Sequence, residues 1–139
     1  MRAVAGGPVW RGYETKIWEL GEVIRAILKK HKALRHRAVT DAVSQVVGEG
    51  DFGKGRQSFA LLLGDFGDES HRKVLGCALT DDEIAGHALK SILKLCLDGF
   101  ESEVRQLYDR SRLGWIRSAA KRYLERGKAG PYRALRRIT

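Results

Sequence analysis

The strongest metal-ligating side chains are the histidines at 31, 36, 71 and 87 and the cysteines at 77 and 96. No two histidines stand four apart, the spacing that puts two ligands on one helical face, and no Cys-x-x-Cys accompanies them. No metal site is expected. The stretch Gly48-Glu-Gly-Asp-Phe-Gly53-Lys-Gly55 spells G-x-G-x-x-G and most of G-x-x-x-x-G-K. The first motif holds pyrophosphate between a strand and a helix, and here a helical pattern precedes it. The second lacks the Ser or Thr that would meet magnesium, because position 55 is glycine. A plain flexible linker is expected instead. Asp51-Phe52-Gly53 and Asp65-Phe66-Gly67 echo the metal-binding triplet of protein kinases, but the chain has no H-R-D loop and is too short for that fold. Both read as turns. Asp81, Asp82 and Glu83 stand where a helix is expected to start, so they complement its dipole. Ser102 and Ser111 have no base arranged beside them. No catalytic set emerges, so neither an enzyme nor a cofactor is expected.

The basic residues say more. Arg25, Lys29, Lys30, Lys32, Arg35 and Arg37 cluster about the junction of the first two helical patterns, and Arg117, Lys121, Arg122, Arg126 and Lys128 follow along the last. Trp115, Tyr123 and Tyr132 lie among the second set. Beyond a merely solvated face, such sets contact phosphates or carboxylates. Arg25, Lys29, Lys30, Arg35, Arg37, Trp115, Arg117, Lys121, Arg122, Tyr123 and Arg126 are therefore the expected partner-binding residues. Formal net charge is +9 over 139 residues, unevenly spread. Residues 1–56 carry 11 Lys+Arg against 6 Asp+Glu, residues 57–100 carry 4 against 7, and residues 101–139 carry 11 against 4. Basic ends flank an acidic middle, a field that attracts acidic proteins, polyanions or anionic lipid surfaces without selecting among them.

Helices must position these residues, for no alternating strand pattern of useful length occurs. Ile17, Leu20, Ile24, Ile27 and Leu28, widened by Trp18 and Val23, predict a long amphipathic helix from Tyr13 to near His31. Leu34, Ala38, Val39, Ala42, Val43, Val46 and Val47 predict a second, stopping at Gly48. Phe59, Ala60, Leu62 and Leu63 mark a third, closed by Gly64, and Val74, Leu75, Ala78 and Leu79 a short one after Asp68. Thr80 and Glu83 form a capping-box signature. Ile84, Ala88, Leu89, Ile92, Leu93 and Cys96 continue from it to Gly99. Val104, Leu107 and Tyr108 mark the next helix, and Ile116, Ala119, Ala120, Tyr123 and Leu124 the last, ending at Gly127. Cys77 and Cys96 are expected on apolar faces as small hydrophobes. Residues 1–12 read as an arm, 13–128 as one domain and 129–139 as a frayed basic tail. No apolar run reaches the length of a membrane span or of a signal peptide, so a cytoplasmic location is the expectation.

Leu63, Leu93 and Leu124 recur at spacings of 30 and 31 residues. The segments ending at them superpose: Gly55-Arg-Gln-Ser-Phe-Ala-Leu-Leu-Leu63, Ala85-Gly-His-Ala-Leu-Lys-Ser-Ile-Leu93 and Ile116-Arg-Ser-Ala-Ala-Lys-Arg-Tyr-Leu124. Between them, Val74, Cys77 and Ala78 match Val104, Leu107 and Tyr108 at a spacing of 30. Each unit is then an outer and an inner helix that cannot hide its stripe alone. With Leu63-Gly-Asp-Phe-Gly-Asp68, Leu79-Thr-Asp81 and Ile116-Arg-Ser-Ala-Ala120, residues 55–126 resemble the HEAT repeat family, in particular the short repeats of phycobilin lyases. Gly86 departs from the arginine at 56 and 117, and residues 13–48 do not align at this period. The resemblance implies an all-α fold of about seven helices, a short α-solenoid of stacked antiparallel pairs whose groove holds a protein, a peptide or a nucleic acid. It implies no shared chemistry. The expected function is a non-enzymatic scaffold, an adaptor or inhibitor, binding an acidic protein. The alternative is a nucleic-acid binder gripping the phosphate backbone, as HEAT-like DNA glycosylases do.

Overall fold

The computed structural model describes the backbone of residues 10–138 and the side chains of residues 10–126. Within them are seven α-helices and no strand: α1 Gly12–Lys30, α2 Arg37–Val47, α3 Gln57–Phe66, α4 Arg72–Ala78, α5 Ala85–Leu95, α6 Glu101–Arg110 and α7 Gly114–Ile138. The fold is all-α. No helix among the described residues is long and apolar enough to cross a membrane.

Local chemistry sets most boundaries. Helix α1 starts where the Glu14 carboxylate accepts the Arg11 N–H at 2.8 Å, and Lys29 and Lys30 stand in its last turn, where cations meet its unpaired carbonyls. Helix α2 carries a β-branched run that is poor in isolated helices, yet it forms because Val43 and Val47 bury against α3. Asp68 caps the turn before α4 by accepting the Ser70 N–H at 2.9 Å.

Helix α3, which has no exposed residue, packs on α1, α2 and α5 and contributes Phe59, Ala60, Leu62 and Leu63 to the core. Helix α5 packs on α3, α4 and α7, and α6 packs on α7. The three segments aligned in the sequence thus lie in helices that touch in chain order, α3 to α5 to α7. Four of the nine aligned positions are buried in all three segments: Gly55, Ala85 and Ile116, then Ser58, Ala88 and Ala119, then Phe59, Leu89 and Ala120, then Leu62, Ile92 and Tyr123. Small residues let α3 and α5 approach closely. A Cβ on Gly64 would lie 2.8 Å from the Ser91 Cα, and the Ser91 hydroxyl donates to the Ala60 carbonyl at 2.5 Å.

Several expectations need correction. The glycine-rich segment is no flexible linker: Gly50–Arg56 forms 3-10 turns docked on α1. Glu14, buried beneath it, accepts the Lys54 N–H at 2.8 Å. Gly53 has φ 55°, and a Cβ on Gly55 would lie 2.7 Å from the Ile17 Cβ, so a glycine at each site permits this seating. Thr80 does not cap α5. Its hydroxyl turns back to the Cys77 carbonyl, Asp81 accepts the Glu83 N–H, and the helix begins later, at Ala85. The outer helices align at a spacing of 29 rather than 30, since Leu75 and Ala78 are buried in α4 and Val104 and Leu107 in α6. Cys77 is consequently exposed, while Cys96 is half-buried at the C-cap of α5. Leu20, Val23 and Ile27, expected to face the core, are each more than two-fifths exposed, and the buried face of α1 is Glu14, Gly21 and Leu28. Helix α7 continues past Gly127, and through the expected tail, to Ile138. The expected arm lies outside the described residues as far as Val9, and Gly12 already belongs to α1.

Candidate binding surface

A helix ends with four carbonyls lacking partners, and arginine side chains answer them across this fold. Arg35 donates to the carbonyls of Leu28 and Lys29 at 2.7 and 3.0 Å, closing α1, and its guanidinium lies over the Phe66 ring. Arg117 donates to the Tyr108 carbonyl at 2.6 Å and lies over that residue's ring, closing α6. Arg126 donates to the Leu93 carbonyl at 3.1 Å, closing α5. Arg110 reaches the Leu79 carbonyl at 2.6 Å and pairs with Asp82 at 2.8 Å. Arg25 places Nε and Nη2 on one Asp65 oxygen, at 3.1 and 2.9 Å, and ties α1 to α3. Four residues expected to bind a partner, Arg25, Arg35, Arg117 and Arg126, are thus engaged inside the fold.

Arg56 and Arg117, superposed in the sequence alignment, do the same work. Arg56 is buried, donates to the Val47 carbonyl at 2.9 Å and so closes α2, as Arg117 closes α6. It also reaches the Gly53 carbonyl at 2.8 Å and Asp81 at 2.7 Å. Gly86 takes this position in the middle copy because a Cβ there would lie 2.7 Å from Ile116 Cγ1 and closer still to the Trp115 ring. The α4 terminus is served by Arg110 instead. The acidic residues expected at a helix start are likewise in ion pairs: Asp81 and Glu83 with Arg56, Glu83 with Lys54, and Asp82 with Arg110.

Tyr123 is also internal. It is 5% exposed, donates to the Leu97 carbonyl at 2.9 Å and accepts the Phe100 N–H at 3.1 Å, so it braces the turn between α5 and α6 and has no surface to offer a partner. Arg37 stands on the surface in long pairs with Asp41 and Asp68, at 3.7 and 3.9 Å. Lys29, Lys30, Lys121 and Arg122 are exposed.

The last helix does not present its cations on one side. Residues 115, 122 and 126 share a flank at helical spacing, turned toward α5, while 117 and 121 lie on another, toward α6. Trp115, 40% exposed, meets the His87 ring edge-on at 5.2 Å, and the Lys90 ammonium stands 4.8 Å from its ring centre. Burial and then the Lys90 charge push the His87 imidazole down to about 4. One turn beyond Lys90, the Lys94 ammonium holds Asp65. Burial raises the Asp65 carboxyl, but its bonds from Lys94 and Arg25 outweigh that and leave it below the ordinary aspartate value. The α5–α7 flank therefore joins an exposed aromatic face to Lys90, Lys94 and Arg122. Lys90 was not singled out in the sequence, and His87 was considered there only as a metal ligand. The departure at Gly86 was the signal, because a missing side chain in one copy leaves room for a large one in the next.

Where α5, α6 and α7 meet, a cleft of about 240 Å³ is lined by Asp82, Ala85, Leu107, Arg110, Leu113 and Ile116. It is smaller than sites that enclose a small molecule. Among the described residues no three His, Cys, Asp or Glu side chains group to hold a metal ion. No protein-family model, curated protein or solved structure matches the chain.

Proposed function

We propose that this chain is a non-enzymatic binding scaffold: a short HEAT-like α-solenoid that takes an acidic partner protein, in the cytoplasm, along the α5–α7 flank. The observation that carries the reading is the coincidence of buried positions in α3, α5 and α7, helices that also touch in chain order. Along the α5–α7 flank the exposed residues are Lys90, Trp115 and Arg122, an aromatic anchor flanked by cations. Of the residues expected from sequence, Trp115 and Arg122 stay in the proposed surface, and Lys90 joins them.

A second reading, phosphate-backbone binding by a nucleic acid, draws on the same exposed indole among cations. Binding of poly-glutamate and of duplex and single-stranded DNA and RNA, followed by fluorescence anisotropy from low to physiological salt, separates the two. The first reading expects saturable poly-glutamate binding that weakens about tenfold in Lys90→Ala/Arg122→Ala but not in Arg37→Ala. Tighter nucleic-acid binding, with a salt slope reduced by about one per removed cation, favours the second. No binding of either class at low salt refutes both.

A further inference from the structure

Helix α1 packs against α3 and the Gly50–Arg56 turns and leaves another face uncovered. Tyr13, Leu20, Val23 and Ile27 are 46%, 55%, 54% and 42% exposed, and Leu34 in the following turn is 44% exposed. With Lys16 and Lys30, also exposed, the helical residues run 13, 16, 20, 23, 27, 30, alternating three and four apart. That spacing is the seam of a two-helix coil, in which every such side chain points at a partner helix. The seam reads Tyr-Lys-Leu-Val-Ile-Lys: an apolar centre with one lysine toward each end, the two lysines fourteen residues or about 21 Å apart.

We infer that α1 is a docking surface for an amphipathic helix of another protein, one with an apolar stripe and a carboxylate facing each of Lys16 and Lys30. The charges select this occupant. In a parallel pair of two copies, Lys16 would face Lys16 and Lys30 would face Lys30. In an antiparallel pair, each seam lysine would face an apolar residue, leaving four ammonium groups desolvated without a carboxylate. A helix with Glu or Asp two heptads apart turns the same lysines into register-setting pairs. The surface belongs to the first helix and not to the α5–α7 flank, so the inference stands independently of the proposed function.

The test uses two synthetic helical peptides with Leu and Ile along the seam and either two glutamates or two lysines facing positions 16 and 30. Binding to the full chain is followed by anisotropy, with amide shifts to locate it. The glutamate peptide is expected to bind with shifts along α1, to be lost on Leu20→Asp/Val23→Asp, and to weaken about tenfold on Lys16→Glu/Lys30→Glu, which in turn gains the lysine peptide. All four residues are exposed, and circular dichroism confirms that the variants fold. Equal binding of both peptides, no exchange of preference in Lys16→Glu/Lys30→Glu, or shifts confined to other helices would overturn the inference. So would dimerisation that Leu20→Asp abolishes, occupation of the seam by residues 1–9, or preference for phosphatidylserine vesicles over the glutamate peptide.

Discussion

Replacing Arg56 with alanine removes the guanidinium that joins α2, the Gly50–Arg56 turns and the acidic corner before α5. Arg56 is 2% exposed and donates to the carbonyls of Val47 and Gly53 at 2.9 and 2.8 Å. Truncation leaves both carbonyls without that donor in a buried site. Hydrogen bonds from a charged donor contribute about 1.5–3 kcal/mol each, so the two together are worth about 4 kcal/mol. The ion pairs to Asp81 and Glu83 add little, since those carboxylates are a third or more exposed and water replaces the lost cation. For a chain of this size, about 4 kcal/mol lowers Tm by about 15 °C. Arg117→Ala removes one strong carbonyl bond from a half-exposed arginine and is expected to cost about 1–1.5 kcal/mol. Arg56→Lys recovers little, because one ammonium cannot span the two carbonyls and two carboxylates that the guanidinium reaches. Thermal and urea unfolding followed by circular dichroism measure all three. If Arg56→Ala costs under about 1 kcal/mol, or no more than Arg117→Ala, the reasoning that this arginine closes the preceding helix fails.

Gly86→Ala forces a methyl group into Ile116 and Trp115 and is expected to destabilise by about 1–3 kcal/mol with a change in Trp115 emission; an unchanged melt would refute the close approach. His87 has a folded-state value of about 4 against about 6.5 when unfolded, so the unfolded chain takes up the proton first. Stability from this group is complete above pH 6.5 and is lost as pH falls toward 4, by at most about 3 kcal/mol. His87→Gln should flatten urea midpoints over that window, and a slope unchanged by the substitution would count against a half-buried neutral imidazole. Tyr123→Phe removes the hydroxyl between Leu97 and Phe100 and should cost about 1–2 kcal/mol while leaving partner affinity unchanged, as calorimetry of both properties would show.

The inner helices were legible because their periodicity repeats. Leu63, Leu93 and Leu124 set a register in which small and apolar residues fall on buried positions in α3, α5 and α7. Less was legible wherever a distant partner decides the outcome. Nothing in Gly48–Gly55 announces that Glu14, about 40 residues earlier, holds that segment in place. The apolar pattern of α1 is equally strong on its buried and exposed sides, so it marks a helix without saying which face α3 covers. The basic sets were hard to divide for a related reason. An arginine capping a helix end and an arginine awaiting a partner look alike in sequence, and only the carbonyls of Leu28, Tyr108 and Leu93 distinguish Arg35, Arg117 and Arg126 from Arg122. Thr80 failed as a cap because Asp81 beside it offers a carboxylate acceptor to the same turn.

The most direct test of the binding account is an amide shift map of the ¹⁵N-labelled chain titrated with poly-glutamate, with the Trp115 indole N–H assigned through Trp115→Phe. Saturable shifts centred on Lys90, Lys94, Trp115 and Arg122, absent from Arg35 and Tyr123, are the predicted result. Shifts scattered over every exposed lysine, or none on the α5–α7 flank, would contradict it.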